Sequence, residues 1–225
     1  MRRGFFVTGS DTSVGKTILA CTLLHAIASR GFSVVGMKPV ATGCEASLEG
    51  PRNHDVEQLI AASTIKAPRH IVNPYALNSP IAPHIAARQA GIEIKTELIK
   101  EAFEQLKKMA DVVVVEGVGG FKVPLNNRQD TADLASLLDL PVILVVGMRL
   151  GCLNHALLTS AAIHSRGLKL AGWVANCIDP HMAALRENLF ALEERINRPP
   201  LSVFAFQPDP RPEKLARELA VQSLI

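Results

Sequence analysis

A chain of 225 residues suffices for one α/β domain with a full core. Its 48% hydrophobic and 20% charged residues exclude a disordered chain, and no stretch reaches the roughly 18 apolar residues a membrane span needs. A net charge of +3 is too small for a nucleic-acid surface and only weakly suits a protein that handles anions. Cys21, Cys44, Cys152 and Cys177 form no Cys-x-x-Cys pair, so they are expected as reduced thiols and not as a disulfide framework or zinc site. Arg2-Arg3 precedes an apolar run far too short for a signal peptide, and the expectation is a soluble, cytoplasmic protein.

The first strand is Phe5-Phe6-Val7, ending in Thr8, and a helical pattern runs from Ile18 to Ile27. Between them lies Gly9-Ser10-Asp11-Thr12-Ser13-Val14-Gly15-Lys16-Thr17. Strand, glycine-containing loop, Gly-Lys-Thr and helix is the context of a phosphate-binding loop, or P-loop. Its backbone N–H groups and the positive helix end favour phosphate oxygens. Lys16 adds a point charge for the β- and γ-phosphates, and the Thr17 hydroxyl suits Mg2+. The strict spacing puts a glycine where this chain has Ser10, so the loop carries one extra residue after Gly9.

Gly31 ends the helix, and Phe32 to Met37 reads as the second strand. Lys38-Pro39-Val40-Ala41-Thr42-Gly43 follows its C-terminal end, where ligands gather in open parallel sheets. Lys38 there is either a solvated loop lysine or a second cation facing the phosphates. Residues 44–53 read as an exposed loop, and Asn53-His54-Asp55 as the start of a helix through Ala62. Asp55 is either a first-turn acid favouring the helix dipole or a carboxylate aimed at the phosphates. Pro68 to Pro83 reads as irregular, and His84 to Gln89 as a helix that Gly91 stops. Thr96 to Met109 is predicted as a helix with Leu98, Ile99, Ala102, Phe103, Leu106 and Met109 on its core stripe.

Four valines, Val112 to Val115, describe a strand buried on both faces of a parallel sheet. Glu116 ends it where nucleotide hydrolases place an acid for Mg2+, and Gly117, Gly119 and Gly120 permit close backbone approach. Asp130 to Leu138 is a capped helix and Pro141 to Gly147 another buried strand. Arg149-Leu150-Gly151-Cys152-Leu153-Asn154-His155 opens a helix to about Ser165, either a simple capped start or a second anion site. A strand from Leu170 to Cys177 carries Asn176, whose amide can donate and accept at once, as reading an adenine edge requires. Residues 181–197 form a helix with Met182, Leu185, Leu189, Leu192 and Ile196 inward. Leu201 to Phe206 is the last strand, and Glu213 to Leu219 a short closing helix. The pattern predicts a single domain over residues 1–225, a mostly parallel central sheet with helices on both faces.

The nine-residue loop from Gly9 with its extra residue resembles that of the dethiobiotin synthetase family of biotin biosynthesis. Lys38 to Gly43, Asn73-Pro74-Tyr75, Pro83-His84-Ile85, Val115-Glu116-Gly117-x-Gly119-Gly120, Pro141 to Gly147, Leu150-Gly151-Cys152-x-Asn154-His155-Ala156 and Ala171 to Asn176 are similar to it as well. The likeness runs in order from residue 5 to about 178. Beyond that the family usually has Gly-x-x-Pro, where this chain reads Val203 to Pro208; Ser13 replaces a frequent glutamate and Thr42 a common serine.

The resemblance implies a P-loop nucleoside triphosphate hydrolase fold and a reaction joining CO2 to 7,8-diaminononanoate with ATP, giving dethiobiotin, ADP and phosphate. It implies Lys16, Lys38 and Thr12 as catalytic, and Mg2+ held by Thr17, Asp55 and Glu116. ATP would be met by Ser13, Val14, Gly15, Lys16, Thr17, Ile18, Asp55, Glu116, Gly117, Val118, Gly119, Asn176, Cys177, Ala205, Phe206 and Gln207. Thr42, Pro80, Gly151, Cys152, Leu153 and Asn154 would meet the diamine substrate, the last four from the partner in a homodimer with shared sites. A switch ATPase of the partitioning or regulatory class shares the fold, but its loop normally carries an extra lysine that Ser10, Asp11 and Thr12 do not offer. A cobyrinate-type amidotransferase synthetase needs a glutaminase domain for which the chain has no room.

Overall fold

The computed structural model describes residues 4–48 and 50–224; Arg2-Arg3 and Glu49 of the exposed loop lie outside the described residues. Six strands form the main sheet: β1 (Gly4–Gly9), β2 (Val34–Met37), β5 (Val112–Glu116), β6 (Val142–Met148), β7 (Leu170–Cys177) and β8 (Ser202–Phe204). Their order is β2-β5-β1-β6-β7-β8, and every pairing is parallel. Parallel neighbours need crossovers, and helices supply them. These are α1 (Lys16–Ala28), α2 (His54–Ala62), α3 (Arg69–Val72), α4 (Pro83–Gln89), α5 (Thr96–Met109), α6 (Thr131–Leu138), α7 (Cys152–Ser165) and α8 (Leu185–Ile196), while α9 (Pro212–Leu215) follows the last strand.

Strand alternation sorts the apolar side chains into two cores. Phe6, Val113, Val115, Val142, Leu144 and Val146 face the layer that contains α5, α6, α7 and α8. Phe5, Val7, Val112, Val114, Ile143 and Val145 face α1 and α9 on the other side. All seven residues of β6 are buried, which is why that stretch shows no polar alternation. The helix starts are fixed locally. Asp130 accepts from the N–H groups of Ala132 and Asp133, and Asp133 accepts from the N–H of Asp130, a reciprocal cap at the start of α6.

The segment read as irregular contains regular structure. Residues 69–72 form α3, and β4 (Tyr75–Leu77) pairs in parallel with β3 (Val40–Thr42) as a separate two-stranded sheet. Three-residue strands are too short to show periodicity, so proline punctuation dominates the pattern. The α5 stripe is narrower than its spacing suggests: Ile99, Ala102, Phe103 and Leu106 are buried, whereas Leu98 and Met109 are exposed. Helix α8 begins at Leu185, after Ala184 in the left-handed region, and only Leu192 is fully buried; Met182, Leu185, Leu189 and Ile196 rest on the core partly covered. The final strand and helix are also shorter than expected, at 202–204 and 212–215.

Strand β2 is an edge, and its outward backbone groups are occupied. Val34 donates to Thr64 Oγ1 at 2.8 Å, Gly36 donates to Ser63 Oγ at 2.9 Å, and Thr64 returns its N–H to the Val34 carbonyl at 3.0 Å. Among the described residues no helix is long and apolar enough to cross a membrane.

Candidate active site

The chain passes from β1 to β2 on one side of the sheet, and from β5 to β6 it crosses to the other. Such a reversal opens a crevice at the C-terminal strand ends, and a cavity of about 490 Å3 lies there. Its wall includes the loop residues Thr12, Ser13, Gly15, Lys16, Thr17 and Ile18, then Lys38 after β2, Thr42 from β3, Asp55 from α2, Glu116 at the end of β5, and Val118 and Gly119 after it. Sequence reasoning did not single out His54, Gln58, Asp209, Pro210 and Pro212 for this wall; Asn53 was legible only as a helix start.

The loop is wound tightly against the sheet. Ser10 donates to the Val145 carbonyl at 2.8 Å, and Lys16 Nζ donates back to the Asp11 carbonyl at 3.0 Å. Gly15 has φ 95, and a Cβ there would fall 2.3 Å from Asn176 Nδ2. The Asn176 amide donates to the Val14 carbonyl at 2.9 Å, so this residue lies beneath the loop and supports it. Lys16 is buried, and burial followed by the nearby Lys38 charge brings its pKa down to about 8.

Lys38 is the centre of the charge cluster. Its ammonium is 2.6 Å from Asp55 Oδ2 and 2.6 Å from Glu116 Oε1, and the Thr17 hydroxyl donates to the same Glu116 oxygen at 2.8 Å. Burial opposes a charge at Lys38, but Glu116 and Asp55 outweigh it and hold its pKa above the ordinary lysine value. For Asp55 burial acts upward, and the Lys38 charge prevails to hold the carboxyl below its usual range. The Lys38 backbone is held as well: its N–H donates to the Val72 carbonyl at 2.9 Å and its carbonyl accepts from the Asn73 amide at 2.6 Å. That clamp is the work of α3 and the turn into β4, the segment read as irregular.

Glu116 Oε2 is buried with no hydrogen-bond partner among the described residues. A hydroxyl and two carboxylates are hard oxygen donors of the kind Mg2+ takes, and an unpartnered buried carboxylate oxygen fits a cationic ligand. Thr17, Asp55 and Glu116 therefore suit the ion that the sequence suggested.

Several residues expected to meet ATP or the diamine are not among those lining this cavity. Val14 and Cys177 are buried, and Gly117 packs against the Phe6 ring, all behind the cavity wall. Ala205, Phe206 and Gln207 are exposed beyond β8 and do not line the cavity; Asp209, Pro210 and Pro212 do. Pro80 packs beside Gly43, next to Thr42. Gly151, Cys152, Leu153 and Asn154 form the start of α7, outside the cavity, and among the described residues no side chain caps that helix end.

A family model described as "AAA domain" matches residues 3–213. The chain is 57% identical over 206 residues to the ATP-dependent dethiobiotin synthetase of Nitrosospira multiformis, covering 92% of this chain and 89% of that protein. It is 54% identical over 217 residues to the enzyme of the same name from Aromatoleum aromaticum, covering 96% of each. Among solved structures, it is similar to the septum site-determining protein MinD of Pyrococcus horikoshii in complex with Mg-ADP, with a TM-score of 0.57, 16% identity, and 99% and 89% of the two chains covered. A ParA family ATPase from Chlorobium tepidum gives 0.58 at 14% identity over 100% and 93%. These two likenesses speak to the P-loop fold. The sequence relatives show that the chain belongs to the dethiobiotin synthetase family, as an ATP-dependent ligase of the biotin pathway.

Proposed function

We propose that the enzyme carboxylates 7,8-diaminononanoate with CO2 and closes the ring to dethiobiotin, at the cost of one ATP, in the cavity between the P-loop and Lys38. The observation that carries this reading is the pair of buried lysines on one cavity wall, Lys16 and Lys38, with Asp55 and Glu116 balancing their charge. An anionic carbamate and a triphosphate must meet without repelling each other, and two cations at their junction permit that.

One substrate amine adds to CO2 and loses a proton, giving the carbamate. Lys38 and Lys16 hold this anion beside the γ-phosphate, with the Thr42 hydroxyl and the Thr12 side chain on the same wall. A carbamate oxygen attacks phosphorus and the bond to ADP breaks, giving a carbamic–phosphoric anhydride. The second amine then attacks the carbonyl carbon, expels phosphate and loses its proton, which completes the cyclic urea. Mg2+, held by Thr17, Asp55 and Glu116, would supply charge neutralisation at the β- and γ-phosphate oxygens. The chain itself mainly positions the reactants and stabilises charge.

The diamine ends in a carboxylate remote from its amines, and this end would rest on the first turn of α7 from a second protomer. Gly151 to Asn154 offer an uncapped positive helix end, and Leu150 beside them is fully exposed. The active unit is then a homodimer with shared sites.

The test is incubation with ATP, Mg2+, 13C-bicarbonate and the diamine, followed by mass spectrometry. Dethiobiotin carrying one 13C, with one phosphate released per product, supports the reading. Phosphate release that is the same without diamine overturns it in favour of a switch ATPase.

A further inference from the structure

Arg149 is the first residue after β6 and has no part in the chemistry above. Its guanidinium reaches the P-loop and pairs with Asp11 Oδ2. Asp11 is a junction: Oδ1 accepts the Thr12 N–H at 2.7 Å, and its carbonyl accepts Lys16 Nζ at 3.0 Å. A carboxylate so placed is at odds with the loop's task. It stands beside the lysine that meets a triphosphate, where a net negative charge opposes binding. Arg149 cancels that charge and fixes the carboxylate whose other oxygen shapes the turn at Thr12. Neither side chain is deeply buried, at 44% and 41% exposed, so the pair is not a core element. An exposed ion pair contributes little to stability, and its effect falls on the local shape and potential of the loop.

We propose that Arg149 sets the charge of the nucleotide site: paired with Asp11, it neutralises the one carboxylate carried by the loop and so favours an incoming phosphate. The inference rests on the reading that this loop binds ATP.

Charge arithmetic gives the test. Affinity for a non-hydrolysable ATP analogue with Mg2+ is measured by calorimetry, alongside KM for ATP and for the diamine. The wild-type pair sums to zero. Arg149→Gln leaves an uncompensated carboxylate and weakens nucleotide binding about tenfold, with less effect at high salt. Asp11→Asn leaves an uncompensated guanidinium and binds as well as the wild type or better. The double variant sums to zero again and returns to within about threefold of the wild type. Arg149→Lys keeps the charge and retains most of the affinity. In all variants KM for the diamine stays put, and melting temperatures shift little.

Two results overturn the proposal. If the double variant binds as weakly as Arg149→Gln, Arg149 contacts the nucleotide directly and not through Asp11. If Arg149→Gln binds normally, the pair is ornamental. Failure of the wild-type protein to bind the analogue at all would instead remove the nucleotide reading itself.

Discussion

The Asn73 amide donates to the Lys38 carbonyl at 2.6 Å and to the Tyr75 carbonyl at 3.1 Å, so a buried asparagine that does not line the cavity sets where the Lys38 backbone lies. Asn73→Ala leaves two carbonyls short of a donor. Stability should fall by about 2 kcal/mol, and kcat by roughly 10- to 100-fold as the ammonium is displaced. Asn73→Asp, which accepts but cannot donate, should be no better. Urea denaturation and steady-state rates on both variants check this; normal kcat in Asn73→Ala would remove the positioning role.

Lys16 gives the enzyme a pH dependence. Its pKa of about 8 in the free protein means the ammonium loses its proton above that pH, whereas bound phosphates favour the charged form. Nucleotide affinity should therefore be independent of this group below about pH 8. Above it, affinity declines by up to tenfold per pH unit, with proton uptake on binding. Calorimetry in buffers of different ionisation enthalpy measures that uptake directly. Lys16→Arg should abolish it, because the guanidinium stays charged.

The Lys38 cluster is also expected to be a stability element. Lys38→Met strands the buried Glu116 carboxylate and should cost about 3–5 kcal/mol. Asp55→Asn, at a side chain 38% exposed, should cost much less. Adding Glu116→Gln to Lys38→Met should restore part of the loss, since the carboxylate then left unpaired, Asp55, is partly exposed and not buried. Denaturation midpoints for the three variants give the comparison; equal losses for Lys38→Met and Asp55→Asn would contradict it.

Gly15 has both a conformational and a steric reason to be glycine. Alanine there meets Asn176 Nδ2 and must hold φ 95, and should abolish measurable nucleotide binding. Gly15→Ala with Asn176→Ala removes only the clash. Thermal melts should show partial recovery in the pair.

Shared sites predict complementation. Lys16→Gln disables the phosphate end, and Gly151→Asp places a carboxylate at the helix start proposed to receive the substrate's own. Mixed dimers of these two inactive parents should regain one working site in two. No activity in mixed dimers verified by native mass spectrometry would mean that each protomer builds its own carboxylate pocket.

Much of this architecture could be read from residue order. The P-loop context, Glu116 at the end of a valine strand and Lys38 after β2 all follow from strand ends facing one crevice. Less legible were groups acting through the backbone. The role of Asn73 depends on β3 and β4, three residues each, which leave no periodic trace. Asn176 read as a ligand reader because its amide is versatile; its Nδ2 also donates to the Val14 carbonyl beneath the loop, a supporting contact that residue order does not reveal. Asp209 and Pro210 reach the cavity from a loop whose position only the packed α9 defines, so the exposed residues 205–207 drew attention instead.

The covered edge of β2 also restricts how two copies of this chain can meet. With Ser63 and Thr64 occupying its outward N–H groups, that edge has no ladder to extend, and the opposite edge, β8, presents only three residues. A continuous sheet across two protomers is therefore disfavoured from both ends. In the proposed homodimer the contact would fall to helix and loop surfaces, where Leu150 and Leu158 are exposed, and the Leu150 side chain lies next to the α7 start proposed to receive the substrate carboxylate.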